Sequence, residues 1–198
     1  DFRFNDRYYL KNDIDFQGEE YALGRDNNTF CSEVNGNYHT VKNITSWRDK
    51  RYNDPSMDAF QSIFGITVIG IKAKNLTFEN IRFTKANCAL ISDNYYSHES
   101  IVNDKGETER VVQHETYISN IRASVVYGAN AGKGLCSTLI GGSAENVFLE
   151  LKRADGRAFD KNFGIIERDY LNWGLGSCTF NKVIVFANGA PVWVKYPS

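Results

Sequence analysis

Three acidic residues stand where carboxylates could act on a glycosidic bond. Asp93 follows one apolar segment, and Glu167 and Asp169 follow another. A pair of carboxylates can serve as general acid and base, or as acid and nucleophile, and their separation decides the stereochemical outcome. These three acids lack visible partners at matched spacing. Ion-paired surface residues are therefore the preferred interpretation of Glu167, Arg168 and Asp169.

Aromatic side chains make up 14% of the chain, and several fall in segments with the composition of loops. Exposed Trp and Tyr rings stack on sugar faces and anchor protein interfaces. The alternative for each ring is packing of its loop onto the side of the domain. The candidates for ligand contact are Trp47, Tyr95, Tyr96 and Trp173.

Two arginines occupy the same place in two similar segments, Arg82 after Asn80 and Arg122 after Asn120. We therefore expect Arg82 and Arg122 to stack on one outward face, with Lys152 nearby. Such a set of cations could bind an acidic glycan or the carboxylates of a partner. A solvated face balanced by neighbouring glutamates is the alternative.

Metal and cofactor motifs are weak. His98 and His114 share the segment 93–115, where a hairpin could bring them together with Glu99 or Glu115 as metal ligands. The four cysteines are far apart and are predicted to be small buried residues in or beside strands. No phosphate-binding Gly-rich loop or nucleophile triad is present, so we expect no cofactor and no metal.

The charge balance bears on the class of partner. The 198 residues carry a formal net charge of −1, so no general attraction to nucleic acid is expected. No apolar run approaches the length of a membrane span, so membrane insertion is not expected either. Because the first residue is Asp1, we expect a processed chain or a fragment of a larger protein, with a trimmed folded part as the alternative.

Composition and periodicity predict β structure. One Met and three Pro occur, no segment has a helical period, and Asn, Thr, Val, Ile and Phe crowd the apolar segments. The central strand is predicted at Asn75–Thr84, with inward side chains at Leu76, Phe78, Ile81 and Phe83. Further strands are predicted within 62–72 and at 88–91, 117–127, 136–140, 144–151, 163–167, 178–186 and 191–194.

Turn signals separate these strands. Asn35–Asn37 contains an Asn-Gly step and predicts a sharp turn between two short strands. The segment 93–115 breaks the strand pattern and is predicted to be a loop or hairpin excursion. Its tip is expected at Asp104–Gly106, and Val111 and Val112 fall in the returning strand. Residues 1–30 are a candidate N-terminal cap.

One short pattern recurs: Asn, then a β-branched residue or Leu, any residue, and a mostly apolar residue. We treat the copies as equivalent strands, and their irregular spacing excludes a strict-period solenoid. Stacked strands joined by loops of variable length fit a parallel β-helix, and a β-sandwich is the alternative. The copies begin at Asn43, Asn75, Asn80, Asn120, Asn146 and, more loosely, Asn181.

This pattern resembles the right-handed parallel β-helices of the pectin-lyase-like superfamily. The segments Tyr8–Phe16, Val34–Ile44 and Asn75–Phe83 are similar to repeat modules of bacterial surface proteins and phage tail or spike proteins. The resemblance implies an all-β, right-handed parallel β-helix that forms a single domain over residues 1–198. It also implies an extracellular, cell-surface or virion location, and homotrimers are common among such proteins.

Three functions are consistent with these expectations. The first is a non-catalytic module for recognition of glycans or neighbouring protein subunits, with ligand contacts from Arg82, Arg122 and the loop aromatics. The second is a polysaccharide lyase or glycoside hydrolase that uses Asp93, Glu167 or Asp169. The third is a structural virion or assembly component in which the excursion at 93–115 contacts a neighbouring subunit.

Overall fold

The structure is a computed structural model. It describes residues 7–19, 33–45, 61–62, 66–67, 71–83, 88–91, 93–94, 98–113, 116–128, 136–138, 142–159, 166–168, 179–188 and 190–191.

Across these ranges the chain forms strands and no helix. The strands are β1 (Arg7–Tyr9), β2 (Ile14–Asp15), β3 (Glu33–Asn35), β4 (Thr40–Lys42), β5 (Gln61–Ser62), β6 (Ile66–Thr67), β7 (Lys72–Phe83), β8 (Cys88–Ala89), β9 (Asp93–Asn94), β10 (His98–Val102), β11 (Thr108–Gln113), β12 (Tyr117–Tyr127), β13 (Cys136–Thr138), β14 (Ser143–Arg153), β15 (Ile166–Arg168), β16 (Thr179–Ala187) and β17 (Ala190–Pro191).

Nine of these strands form one large sheet. Its main path runs β1–β3–β7–β12–β14–β16–β17, and β4 pairs with both β7 and β2. Each of these pairings is parallel except the last, in which β17 folds back antiparallel onto β16. The all-β prediction is therefore confirmed, and the large sheet is mostly parallel.

Strand β7 buries the four predicted side chains. Leu76, Phe78, Ile81 and Phe83 are each 3% exposed or less. Their spacing departs from strict alternation because Asn80, between Phe78 and Ile81, has a φ of 53°. A residue in this left-handed region turns the strand, so that the apolar residue after it again points inward. We call such a residue within a strand a bend.

The core consists of apolar residues paired in register across the sheet. We call each such set of partners a row. Neighbouring strands bury side chains at the same rows, so the apolar residues stack on one another from strand to strand. The buried rows are Val34–Ala73–Ile118–Ala144, Leu76–Ile121–Val147, Val41–Phe78–Ala123–Leu149–Val185, Ile81–Val125–Leu151–Ala187 and Phe83–Tyr127.

A ladder of asparagine amides crosses the sheet at one set of bends. Asn146 Nδ2 donates to Asn120 Oδ1 at 2.8 Å, and Asn120 Nδ2 donates to Asn75 Oδ1 at 2.8 Å. Asn75 Nδ2 in turn donates to Asn35 Oδ1 at 3.1 Å. Asn75, Asn120 and Asn146 have φ values of 52–56°, which Asn tolerates better than most residues.

A second, shorter ladder lies beside the first. Asn80 Nδ2 donates to Asn43 Oδ1, and Asn43 Nδ2 donates to Asp15 Oδ1, both at 2.8 Å. It stops at β12, where the Asn80 backbone N–H donates to the Ser124 hydroxyl at 3.2 Å beside a register shift. The predicted equivalence of Asn43 and Asn80 with Asn120 is therefore wrong, because these residues belong to two different ladders.

The predicted equivalence of Asn181 is also wrong. In β16 the bend falls one residue later, at Lys182, whose φ is 53°. Asn181 pairs with Glu145 in register, and its Nδ2 donates to Glu145 Oε1 at 3.1 Å. The first ladder therefore ends at Asn146, and a lysine occupies the next bend.

Gly36 in the predicted turn is required by a close approach. A Cβ at this position would lie 2.3 Å from the Asn75 carbonyl oxygen. The turn is confirmed, with Asn37 and Tyr38 at positive φ. It does not form a hairpin, because the strands on either side of it, β3 and β4, both pair parallel with β7.

The predicted excursion is a hairpin. Strands β10 and β11 pair antiparallel, with Val111 opposite Ser100. Asn103 orders the tip: its Oδ1 accepts hydrogen bonds from the Lys105 and Glu107 backbone N–H groups, each at 3.0 Å. The predicted tip and returning strand are confirmed.

The remaining strands form three short pairs outside the large sheet. They are β5 with β8, β6 with β9, and β13 with β15, and all three pairs are parallel. Cys88 lies in β8 and Cys136 in β13, so their predicted place in strands is confirmed, whereas Cys31 and Cys178 lie outside the described residues. In chain order, a short strand follows each of β7, β12 and β14 before the chain returns to the large sheet.

At the start of the described chain, β1 and β2 form the edge of the large sheet. The side chains of Tyr8, Leu10 and Phe16 pack against its core. This arrangement covers part of the region predicted as a cap, and residues 20–30 lie outside the described residues.

Candidate functional site

Asp93 begins a strand, β9, rather than following one, so its predicted position is corrected. Glu167, predicted to end the strand 163–167, is the middle residue of β15. Asp169 lies outside the described residues. The same holds for the four aromatic candidates, Trp47, Tyr95, Tyr96 and Trp173.

The two arginines do not stack, and this prediction is wrong. Arg122 pairs in register with Thr77, whereas Arg82 pairs with Val126. At about 3.3 Å per residue, Arg82 lies about 13 Å along the strand direction from the row of Arg122. The cause is the mistaken equivalence of Asn80 with Asn120. Lys152 shares the row of Val126 and Arg82.

Arg122 instead meets aromatic residues on the outer face of the later strands. Its guanidinium carbon lies 5.4 Å from the centre of the Phe148 ring, in the range of a cation–π contact. The Phe148 ring in turn lies 5.8 Å from the ring of Phe186. Ile184 shares the row of Arg122 and Phe148, and its side chain is 52% exposed.

Arg122, Phe148 and Ile184 line a cleft of about 470 Å³ beside the end of the first Asn ladder. This volume is within the range of small-ligand sites. The described lining residues come from β12, β14 and β16, so three strands of one rigid sheet position them. They are Arg122, Asn146, Val147, Phe148, Lys182 and Ile184, and we call this set the cleft.

The cleft is cationic. Arg122 and Lys182 line it, and none of its described lining residues is acidic. The two acids of β14 are engaged elsewhere. Glu150 lies 2.7 Å from the Lys152 ammonium, and Glu145 accepts the hydrogen bond from Asn181. The cleft therefore favours an anionic or electron-rich ligand with an apolar face.

Sequence reasoning selected Arg122 but missed Phe148, Lys182 and Ile184. A signal for Phe148 was present: β14 alternates inward Val147, Leu149 and Leu151 with outward residues, so Phe148 had to point outward. Lys182 could not be recognised as the bend residue, because Asn181 beside it matched the recurring pattern.

Four described carboxyl groups, those of Asp13, Asp15, Glu33 and Asp155, have a shifted pKa, and it is lowered at each of them. The largest cause of the lowered pKa is a hydrogen bond, donated to Asp13 by the Thr40 backbone N–H and to Asp15 by the Asn43 side chain. A general acid needs a raised pKa instead. All four groups lie outside the cleft.

The described part of the chain contains no group of three or more His, Cys, Asp and Glu side chains placed to hold a metal ion. His98 lies in β10, but His114 and Glu115, its proposed partners, are not described. No described helix has the length and apolar character needed to cross a membrane.

Comparison of the chain with protein families, curated proteins and solved structures finds no match. The side chains of the cleft supply an aromatic ring, an exposed aliphatic side chain, two cations and one amide on a single face of the sheet.

Proposed function

We propose that this chain is a right-handed parallel β-helix module that recognises a saccharide through the cleft and catalyses no reaction. Strands β7, β12, β14 and β16 are neighbours in sequence order and parallel. The chain between them passes through short strands that also pair in parallel. This path fits a solenoid, and parallel crossovers are right-handed in about 98% of cases.

The observation that carries saccharide recognition is the Phe148 ring with Arg122 over it in a cleft on the outer face. Sugars have apolar faces of C–H groups that stack on aromatic rings, and hydroxyl groups that pair with amides and cations. Phe148 and Ile184 provide the apolar surface, and Asn146, Lys182 and Arg122 provide the polar groups.

A binding role rather than a catalytic one is supported by the lack of acids among the described lining residues. Glycoside hydrolysis commonly uses two carboxyl groups that flank the bond, and one of them must hold a proton. In keeping with the sequence resemblance, we place the module in a bacterial surface protein or a phage structural protein.

Binding of an oligosaccharide panel, measured by isothermal titration calorimetry, tests this proposal. We expect Phe148→Ala to weaken binding of the best ligand about fivefold, because loss of ring stacking costs about 1 kcal/mol. Tyr117→Ala is the matched control, since Tyr117 is also a partly exposed ring on β12, with the ammonium of Lys72 at 5.8 Å from its centre. Equal binding by both variants, or no saccharide bound by the parent chain, would reject the proposal.

A second candidate function is polysaccharide cleavage by Asp93 and Glu167. It is favoured by one backbone observation: β9 lies against β13, and β13 pairs with β15, so both acids lie in the same layer of short strands. The test is shortening of polysaccharide chains that Asp93→Asn or Glu167→Gln abolishes. No shortening by the parent chain would leave recognition as the function.

A further inference from the structure

We propose that the hairpin of one copy of this chain docks its tip into the cleft of a second copy. We call residues 102–109, where β10 turns into β11, the hairpin tip. The inference goes beyond the proposed function, because its partner is a protein and it does not depend on a saccharide. It is carried by the rigidity of the hairpin tip, its exposed apolar side chain, and the match between its charges and those of the cleft.

The hairpin tip is held in one conformation by its own hydrogen bonds. Asn103 Oδ1 accepts from the backbone N–H groups of Lys105 and Glu107, each at 3.0 Å. The Asn103 N–H donates to the Glu107 carbonyl, and the Gly106 N–H donates to the Asn103 carbonyl, both at 2.9 Å. A segment that is ordered before it binds loses little conformational entropy on docking. The hairpin tip is therefore suited to enter a preformed cleft.

Val102 gives the hairpin tip an apolar contact point. Strands β10 and β11 pair with each other and with no other described strand. Val102 is 54% exposed at the end of this pair, and Ile184 in the cleft is 52% exposed. Contact between exposed aliphatic side chains removes apolar surface from water and favours association. Val102 of one copy against Ile184 and Phe148 of the other would form the apolar centre of the interface.

The charges of the two surfaces are opposite. The hairpin tip has one lysine and three carboxylates, at Asp104, Glu107 and Glu109, and all of these residues are exposed. The cleft has two cations, Arg122 and Lys182, and no acid among its described lining residues. Complementary charges raise the rate of encounter and fix the register of an interface. The hairpin tip is thus an anionic partner with an apolar side chain, which is the combination that the cleft favours.

The spacing of the charges matches as well. The two cations of the cleft lie on β12 and β16, about 10 Å apart across the sheet, with the Phe148 ring on the strand between them. In the hairpin, Val102 pairs with Thr108. Asp104 is two residues beyond this pair and Glu109 is one residue before it, so the two acids are about 10 Å apart along the hairpin. Each acid can therefore reach one cation while Val102 lies over the ring.

This contact joins two different surfaces, so it is heterologous. A second copy that receives a hairpin tip leaves its own hairpin tip free to bind a third copy. The hairpin tip is too short to bury the area of a stable interface, so we expect weak association. Sedimentation velocity of the parent chain should show an average mass that rises between about 10 µM and about 1 mM.

Two variants test the two sides of the interface separately. Val102→Asp removes the apolar contact of the hairpin tip, and Arg122→Glu places an acid in the cleft. Each variant alone should remain monomeric where the parent chain associates. An equimolar mixture should form a dimer and nothing larger, because it contains one intact hairpin tip and one intact cleft that can meet. Formation of this dimer also shows that both variants are folded.

Each variant has a matched control elsewhere on the described surface. Tyr38→Asp places an acid at another exposed apolar side chain, in the turn between β3 and β4. Arg82→Glu reverses a charge on the same strand order as Arg122 but in a different row. Both control variants should associate as the parent chain does, within about twofold in the dissociation constant.

The outcomes separate this inference from the proposed function. A parent chain that is monomeric at about 1 mM would overturn the inference. A mixture of Val102→Asp and Arg122→Glu that stays monomeric would overturn it too, as would parent-like association of either variant alone. Saccharide binding is measured separately by calorimetry. No saccharide bound by a chain whose variants dimerise as expected would reject the proposed function and support the inference.

Discussion

The strands before the hairpin and the strands after it bury the same rows of apolar residues but differ in their bends. Strand β7 has two bends, at Asn75 and Asn80, whereas β12 and β14 have one each, at Asn120 and Asn146. Each bend starts a new flat segment of sheet. The earlier part of the sheet therefore has a short face between its two bends, and the later part has one longer face beyond its single bend.

The two parts also treat their charges differently. On the early strands, Glu33 forms ion pairs with both Arg7 and Lys74, and Asp15 pairs with Lys42. On the late strands, Lys152 pairs with Glu150 and Arg153 with Asp155, but Arg122 and Lys182 stand beside aromatic and aliphatic side chains. Ion pairs therefore occur in both parts of the sheet, and the cleft is distinguished by two cations that lie beside apolar side chains.

The change between the two parts occurs at one place. Phe78 pairs with Ala123 and Ile81 pairs with Val125, so β7 contains one more residue than β12 between these pairs. The Ser124 hydroxyl accepts a hydrogen bond from the Asn80 N–H at this point. The extra residue in β7 thus accompanies its second bend, at Asn80, and the later strands of the described sheet lack both.

The largest effect is expected in the shared core. Ile81 is fully buried, so Ile81→Asp places an unpaired charge between strands and should unfold the domain. Arg82→Asp, at the adjacent exposed position of the same strand, is the control and should remain folded. Circular dichroism with thermal melting measures both. An Ile81→Asp variant that folds with the stability of the parent chain would show that β7 does not contribute to the core.

A smaller effect should distinguish the interior of a ladder from its end. Asn120 donates to Asn75 and accepts from Asn146, so Asn120→Asp loses a donor and sets two oxygens against each other. It should cost about 1–3 kcal/mol of unfolding free energy. Asn35 only accepts, as Asp15 does at the end of the other ladder. Asn35→Asp should therefore cost less than about 0.5 kcal/mol.

Urea denaturation at neutral pH measures both variants. Equal destabilisation by Asn35→Asp and Asn120→Asp would contradict the direction assigned to the ladder, in which each amide N–H points toward the preceding strand.

Acid should act mainly on the ion-paired early strands. The pKa of Asp15 is lowered from its ordinary value of 3.8 by the Asn43 amide, the Gln17 N–H and Lys42. A lowered pKa in the folded state contributes stability above the unfolded value and loses it as pH falls through the folded value. Stability should therefore be level between pH 7 and about 5 and decrease below about pH 4.

Asp15→Asn should make this acid-induced decrease shallower, because its oxygen still accepts both hydrogen bonds but no longer titrates. Asp104→Asn, at the hairpin tip, is the matched control. An unchanged acid profile in Asp15→Asn, followed by urea denaturation from pH 2 to 7, would show that Asp15 does not couple to folding.

The smallest effect is expected on ligand affinity, from loss of an arginine outside the cleft. Because Arg82 and Arg122 lie in different rows, Arg82→Gln should leave ligand affinity within about twofold, the scale of a remote surface charge. Arg122→Gln should weaken it about tenfold. Calorimetric titration of one oligosaccharide into both variants provides the measurement. Equal losses of affinity in the two variants would support the prediction from the sequence that Arg82 and Arg122 stack on one face.

Much of the fold could be predicted from the sequence because its signals are local. The bounds predicted for β12 match the structure, and the inward side chains of β7 follow from alternation interrupted at Asn80. The hairpin tip follows from Asn103–Glu107, a short polar stretch with a glycine. In each case the residues that carry the signal lie within a few positions of one another.

The register and the cleft could not be predicted, because they depend on pairing across the sheet. Asn75 and Asn80 start nearly identical motifs, and nothing in the sequence shows which of them pairs with Asn120. The choice is made by the extra residue opposite Ser124. The contact of Arg122 with Phe148 follows only once that register is known, and so does the role of Lys182 as a bend.

Mapping the ligand on the sheet tests the central claim, that the late strands carry the recognition surface. Backbone amide resonances would be followed by NMR as an oligosaccharide is added to the isotope-labelled chain. We predict shifts concentrated at residues 120–124, 145–149 and 181–185, with little change at residues 33–45. Shifts concentrated on the early strands, or none at saturating ligand, would contradict the assignment of the cleft.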